Sequence, residues 1–146
     1  MPSAYEYRLT VTYGETNALG NVYYVNHLAW QGKVREMFLL DHAPGFLERI
    51  GREFTMVTKN VHCEYEQELR AFDRIVIRMR LDYRGENTLR ILFDYFRVDD
   101  SGQEERIARG TQELACMDVG CNRPAPLPAE LIEALRSFEI QQDIRD

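Results

Sequence analysis

Cysteine is scarce in this chain of 146 residues, and the few present form no recognisable pattern. Cys63, Cys116 and Cys121 are odd in number and lack the paired spacing of a metal site. Cys116 and Cys121 lie close enough in sequence to pair under oxidation, but nothing requires that bond. We therefore expect reduced thiols in a cytoplasmic protein, with no metal and no other cofactor.

Long hydrophobic runs and an excess of positive charge are also missing. No stretch approaches the roughly 20 apolar residues of a membrane span, and the N-terminal residues lack the basic and apolar regions of a secretory signal. Lys and Arg number 18 against 24 Asp and Glu, which gives a formal charge of -6. Nucleic acids and anionic membranes are bound by clustered positive charge, so neither is an expected partner.

The composition present, 45% hydrophobic and 29% charged, is typical of a globular protein. We expect a single domain over residues 1–146, because no linker or repeat divides the chain. Alternation and turn residues predict a strand at 5–13 and a helix at 22–42. Four antiparallel strands in a meander are predicted at about 55–69, 75–83, 89–98 and 104–116, followed by a short helix at 128–138. The tail 141–146 is polar, and we expect it to fray.

The long helix has little polar surface, which indicates that a sheet wraps around it. Its apolar or small residues on one side are Val22, Val25, Ala29, Gly32, Leu39 and Leu40. One apolar helix and one twisted sheet bury each other, which is an α+β arrangement. Such a sheet leaves an open edge, so we also expect the chain to form oligomers.

The segment 13–30 joins the first strand to this helix through a turn rich in glycine and asparagine. A polar turn at a helix N-terminus can hold a carbonyl or an anion. On the helix, Tyr24, Leu28, Gln31 and Arg35 recur every three or four residues and share one face.

The sequence Glu15-Thr-Asn-Ala-Leu-Gly-Asn-Val-Tyr-Tyr-Val-Asn-His27 resembles the signature of hotdog-fold acyl thioesterases. The branch is that of the 4-hydroxybenzoyl-CoA thioesterases, with the pattern Asp-Thr-Asp-x-x-Gly-x-Val-Tyr-x-x-Asn-Tyr. The resemblance implies a five-stranded antiparallel sheet wrapped around a long central helix, plus a short C-terminal helix. It also implies a homotetramer, a dimer of dimers with sites where two subunits meet.

The chain departs from this pattern at Asn17, where the branch has an Asp that acts as nucleophile or general base. A carboxamide can do neither at neutral pH, and Glu15 cannot be assumed to replace it. Together with Trp30-Gln-Gly and Arg35-Glu-Met-Phe, the motif is similar to the thioesterases of enediyne polyketide biosynthesis. That similarity implies release of a polyene β-keto acyl chain from an acyl carrier protein of an iterative polyketide synthase. The free acid can then lose CO2 and become a methyl ketone.

The resemblance implies a role for each candidate site residue. The backbone N–H of Tyr24 would stabilise the oxyanion, Asn17 would place the attacking water, and Arg35 would stabilise developing negative charge. Candidate substrate-binding residues are Thr58, His27, Leu28 and Gln31. A β-keto group makes the thioester more electrophilic, so less base catalysis is needed.

Structural roles are alternatives for each of these residues. Asn17 is equally suited to a tight turn, Arg35 to an exposed ion pair with Asp41, and His27 to a packing role. The functional alternatives are a general acyl-CoA thioesterase and a non-catalytic hotdog protein that binds an acyl chain. A dehydratase is disfavoured, because no His is paired with an acidic residue as that branch requires.

Overall fold

The computed structural model of the chain describes residues 3–140, and the prediction for the tail 141–146 lies outside that range. In chain order the strands are β1 (Tyr5–Thr10), β2 (Phe54–Tyr65), β3 (Arg74–Arg84), β4 (Thr88–Val98) and β5 (Glu104–Asp118). The helices are α1 (Val25–His42), α2 (Pro44–Arg49) and α3 (Ala129–Arg136). Pro128 is the N-cap of α3 rather than its first residue, and α3 ends two residues before the predicted end at Phe138.

The five strands form one antiparallel sheet in the order β1-β3-β4-β5-β2. The predicted meander is confirmed for β3, β4 and β5, which are joined by short turns. It is wrong for β2, which pairs with β5 at the far edge instead of with β3. Strand β2 ends at Tyr65, not near Leu69, and the connection 66–73 is long enough to cross the sheet. Because the predicted strand extended to 69, the predicted connection to β3 was too short to show that the chain crosses the sheet here.

The first strand and the long helix are both shorter at their junction than predicted. Strand β1 ends at Thr10, and Tyr13 begins a single 3-10 turn with its side chain 72% exposed. Helix α1 begins at Val25 rather than Val22, because the Val22 backbone N–H donates to the Leu69 carbonyl (2.8 Å). This bond ties the turn to the segment after β2, so residues 21 and 22 are extended rather than helical.

The sheet curves around α1, but through a different helix face from the one predicted. The buried side of α1 consists of His27, Trp30, Gln31, Val34, Phe38 and Leu39. Val25, Ala29 and Leu40, predicted to share the apolar side, are exposed. Apolar residues occur on more than one side of this helix, so periodicity could not decide which side packs on the sheet. The exposed side carries Val25, Ala29 and Leu40 together with Lys33 and Glu36.

Helices α2 and α3 close one end of this core beside the C-terminal half of α1. Phe46 of α2 and both Leu131 and Leu135 of α3 belong to the buried cluster. The Glu130 carboxylate accepts the Gly45 backbone N–H (3.0 Å), which joins the two short helices. Among residues 3–140, no helix combines the length and apolar character needed to cross a bilayer.

Candidate functional site

Glu15 fastens the turn before α1 to the helix itself. Its carboxylate accepts the Thr12 backbone N–H and hydroxyl (2.9 and 3.0 Å) and the Trp30 indole N–H (2.7 Å). Its backbone carbonyl accepts the Asn26 amide (2.7 Å) and the Tyr23 N–H (2.9 Å). Because both carboxylate oxygens and the backbone carbonyl accept hydrogen bonds from the turn and the helix, Glu15 has a structural role that fixes the helix N-terminus.

We expect Glu15→Gln to lower stability by about 1–3 kcal/mol while leaving turnover per folded molecule unchanged. The amide has one acceptor oxygen in place of two, so one of the three donors loses its partner. Trp30 is the single tryptophan, so its fluorescence reports this contact directly while thermal unfolding reports stability. A large loss of turnover at full folding would instead identify Glu15 as a catalytic carboxylate.

Asn17 adopts the turn geometry that was its structural alternative. Its side-chain oxygen accepts the Leu19 backbone N–H (2.9 Å), and its backbone bonds with Gly20 and Asn21 close the turn. Within residues 3–140, the Asn17 amide nitrogen makes no hydrogen bond. Because the oxygen is engaged in the turn, the side chain offers a donor, and no acceptor, to a ligand.

The N-terminus of α1 opens onto a cavity of about 300 Å³, called the helix-terminal cavity below. Helix geometry leaves the first backbone N–H groups without intrahelical acceptors. Among residues 3–140, those of Tyr24 and Val25 have no backbone acceptor outside the helix either. These two backbone N–H groups are therefore available to donate hydrogen bonds to an oxyanion. The cavity is lined by Asn17, Asn21, Val22, Tyr24, His27, Tyr65, Glu66, Gln67, Glu68 and Leu69.

His27 is the buried polar group of this cavity, with only 3% of its surface exposed. Its ring lies 4.7 Å from the Tyr65 ring, nearly edge-on, and 5.7 Å from the Tyr95 ring (centroid distances). Among the described residues, neither imidazole nitrogen makes a hydrogen bond of standard geometry, although the nearby Tyr24 backbone acts to raise the pKa of the ring. Burial lowers the pKa of His27 to about 4, so the ring is neutral at neutral pH.

Gln31 points into the sheet rather than towards either cavity. It is fully buried, and its amide donates to the His62 carbonyl (3.1 Å) where β2 lies beside β5. Gly110 of β5 makes this possible, because a Cβ there would overlap the Gln31 amide and lie 2.5 Å from the His62 carbonyl oxygen. Leu28, one turn earlier, is half-buried and lines neither cavity.

Arg35 is half-buried and faces β5. Its guanidinium donates to the Gln112 side-chain oxygen (2.8 Å), and Gln112 is itself only 3% exposed. Within residues 3–140 no carboxylate lies within ion-pair distance of Arg35, and Asp41 instead accepts the Tyr5 hydroxyl (2.6 Å). Burial lowers the pKa of Arg35 below its ordinary value. A partly desolvated cation without a counter-ion is suited to an anionic or strongly polarised ligand.

Arg35 and Thr58 lie on a second cavity of about 400 Å³, called the apolar cavity below. Its walls come from α1, α2, α3 and the inward sides of β2, β4 and β5. Apart from Arg35, Glu36 and Thr58, its lining is apolar: Met37, Phe38, Leu39, Leu40, Phe46, Leu47, Ile50, Met56, Leu89, Ile91, Leu114, Leu131 and Leu135. A hydrocarbon chain matches such a lining, and the polar groups can fix one end of it.

The candidate residues thus fall into two groups within one chain. Asn17, Tyr24 and His27 line the helix-terminal cavity, whereas Arg35 and Thr58 line the apolar cavity. Eleven helical residues separate Tyr24 from Arg35, which is about 16 Å along the axis. A single thioester group cannot contact both groups of residues in one chain.

Two residues of this region were not predicted from the sequence. Gln112 is the polar member of an otherwise small or apolar inward row on β5 (Ala108, Gly110, Leu114, Cys116), and that exception in the alternation was a usable signal. Tyr65, whose hydroxyl donates to the Tyr24 carbonyl (2.8 Å), had no comparable signal, because the contact depends on how β2 lies against α1.

Comparison with known proteins agrees with this architecture. The family model described as thioesterase-like superfamily matches residues 11–135. No curated protein sequence matches the chain significantly. The solved dynemicin thioesterase, whose crystal structures reveal induced-fit and allosteric effects upon polyene binding, is 39% identical over 96% of this chain and 100% of its own, with a TM-score of 0.90.

More distant solved structures share the fold. A 1,4-dihydroxy-2-naphthoyl-CoA thioesterase from Synechocystis is 19% identical over 91% of this chain and 96% of its own (TM-score 0.75). A 4-hydroxybenzoyl-CoA thioesterase variant with its bound CoA ester is 14% identical over 90% and 98% (TM-score 0.80). The match over residues 11–135 and the identity to the dynemicin enzyme lead to one conclusion: the chain belongs to the thioesterase-like superfamily and is a thioesterase of the hotdog fold.

Proposed function

We propose that this thioesterase hydrolyses the thioester of a polyene β-keto acyl chain carried by the acyl carrier protein of an iterative polyketide synthase. The apolar cavity supports this proposal, because it pairs a long hydrocarbon-lined space with one half-buried guanidinium that has no carboxylate partner. The apolar walls suit the polyene, and Arg35 suits the oxygens of the β-keto thioester. The 39% sequence identity to the dynemicin thioesterase, whose crystal structures concern polyene binding, supports the same substrate class.

The chemistry follows from the groups available. The N–H of Tyr24 and the Asn17 amide would donate to the thioester oxygen, and Arg35 would stabilise the negative charge that builds on it. Thr58 would orient the chain near Arg35. Thiolate is a fair leaving group, so hydrolysis needs positioning and electrostatics more than acid catalysis. The β-keto acid formed is prone to lose CO2.

We further propose that one site combines two chains, in a homotetramer built as a dimer of dimers. Tyr24 and Arg35 of one chain lie about 16 Å apart along α1. Tyr24 of one chain could instead lie near Arg35 and Thr58 of a second copy, so that one site contains all three. Strand β2 is an open sheet edge, and its Val57, Val61 and Tyr65 are each more than 40% exposed. Together with the exposed Val25 and Leu40 of α1, this edge favours a second copy as its occupant.

Single-turnover assays with matched substrates test the proposal. One β-keto acyl chain is attached to a carrier protein, to CoA and to a short thiol, and thiol release is measured together with the acid and methyl ketone formed. We expect kcat/KM at least about tenfold higher for the carrier-bound chain. Equal rates on carrier and CoA would favour a general acyl-CoA thioesterase. Binding without hydrolysis would favour an acyl-binding protein.

A further inference from the structure

Among residues 3–140, the helix-terminal cavity contains a polar side chain whose burial nothing in the chain explains. Only 3% of the surface of His27 is exposed, yet neither ring nitrogen makes a hydrogen bond of standard geometry, and the Tyr24 backbone beside the ring raises its pKa only in part against burial. Buried polar groups are normally satisfied by protein, water or ligand, because an unsatisfied one destabilises the fold. Aromatic neighbours hold the ring in place without satisfying it: Trp30, Tyr65 and Tyr95 lie with centroids 4.7–5.7 Å away.

The other candidate groups around the helix N-terminus are engaged in hydrogen bonds. The Asn17 oxygen accepts the Leu19 N–H, and both oxygens of the Glu15 carboxylate accept hydrogen bonds from Thr12 and Trp30. The Tyr24 carbonyl already accepts the Tyr65 hydroxyl. A neutral imidazole always presents one acceptor nitrogen and one donor nitrogen. Glu66 and Glu68 also line the cavity, but their carboxylates form ion pairs with Arg106 (3.0 Å) and Arg70 (3.7 Å). Among the cavity groups outside ion pairs, His27 is therefore the one able both to hold a water and to take its proton.

Resting on the proposed function, we propose that His27 is the general base of this site and replaces the carboxylate that Asn17 lacks. Both ring nitrogens are enclosed in the free protein, so the step begins when a water is admitted beside the ring. The water oxygen forms a bond to the thioester carbon while its proton passes to a His27 ring nitrogen. The carbonyl electron pair moves to oxygen, beneath the N–H of Tyr24. When it returns, the C–S bond breaks, and the imidazolium gives its proton to the departing thiolate. Thioester and water become acid and thiol.

Base strength is compatible with this role. With a pKa of about 4, His27 has the proton affinity of an ordinary aspartate, so it is deprotonated at neutral pH as a catalytic carboxylate would be. The groups facing it do not titrate at that pH: burial raises the pKa of Tyr65 to about 12, and also raises the pKa values of Tyr95 and Cys63. Glu66 and Glu68 line the same cavity and need a control.

The test uses the full chain with a β-keto thioester and compares His27→Phe and His27→Gln with wild type. Phenylalanine keeps the packing and removes both nitrogens, so we expect kcat about 100-fold lower, with KM little changed and the melting temperature unchanged or higher. Glutamine can hold a water but cannot take its proton, so a similar loss is expected. His62→Gln, at an exposed histidine on the other face of β2, should retain wild-type kcat.

A pH profile gives the readout that a purely structural role would not change. Wild-type kcat/KM should be level down to about pH 5 and fall as His27 becomes protonated near its pKa of about 4. This limb should persist in Glu68→Gln. Wild-type turnover in His27→Phe, or in His27→Gln, would overturn the assignment. If wild type itself fails to hydrolyse the substrate, the proposed function fails instead, so the two failures are distinguishable.

Discussion

Replacing Arg35 with alanine is expected to lower kcat/KM on a β-keto thioester by about 10²–10³-fold. The half-buried guanidinium has no carboxylate partner among residues 3–140, so its charge is available to a substrate oxygen in a partly desolvated setting. Alanine also leaves the buried Gln112 oxygen without its donor, which costs about 1–3 kcal/mol of stability. Steady-state kinetics with a melting curve for each variant separates the two effects.

Two variants control for charge and for general arginine loss. Arg35→Lys keeps the charge but loses the planar fork, so we expect an intermediate loss, about tenfold. Arg136→Ala removes an exposed arginine of α3 whose ion pair is with Glu133 (3.3 Å), and it should change neither rate nor stability appreciably. Full activity in Arg35→Ala would contradict the proposed role of the guanidinium.

Mixing two inactive variants tests whether one site uses two chains. Asn17→Ala and Arg35→Ala homodimers should each be nearly inactive. If each site takes Asn17 from one chain and Arg35 from the other, every mixed dimer regains one intact site, and random mixing restores about a quarter of wild-type activity. If both residues act within one chain, mixing restores nothing. The separation of about 16 Å along α1 predicts restoration.

Replacing Gly110 with alanine is expected to lower the free energy of unfolding by about 3–5 kcal/mol. The added methyl would overlap the Gln31 amide and lie 2.5 Å from the His62 carbonyl, which is backbone and cannot rotate away. Relief requires both displacing the Gln31 side chain and shifting β2 relative to β5, which breaks the Gln31–His62 hydrogen bond and leaves buried polar atoms unsatisfied. For a chain of this size, we expect the melting temperature to fall by about 10 °C.

Gly14→Ala is the matched control, because no atom lies within 4 Å of a Cβ at that position and its backbone is not in the left-handed region. It should leave the melting temperature nearly unchanged. A Gly110→Ala variant as stable as Gly14→Ala would mean that α1 does not lie as close to β5 as described.

The comparison between sequence and structure shows which contacts periodicity can reveal. Alternation located β3, β4 and β5 within one or two residues at most ends, because each is a run of inward apolar residues bounded by turn residues. It could not place β2 beside β5, because alternation describes one strand and not its neighbour. It also chose the wrong face of α1, because apolar residues occur on both the buried and the exposed side of this helix.

The features of the candidate site also divide into those that local sequence predicts and those that depend on tertiary contacts. The turn and helix start around Asn17 and Tyr24 were identified from local sequence, but the cavity there is completed by residues 65–69, which local sequence does not place. Sequence could not show that the Asn17 oxygen is engaged in its own turn or that His27 is buried without partners. Those facts depend on Leu19, Tyr65 and Tyr95 meeting in space.

By itself, then, the sequence determined the α+β architecture, the long helix, and the absence of a carboxylate at position 17. Each of these follows from local periodicity or residue identity. Tertiary structure alone decided the strand order, the core-facing side of α1 and the separation of Arg35 from Tyr24. These depend on packing between segments distant in sequence, where side-chain fit and burial, rather than local preference, select one arrangement among several with similar patterns.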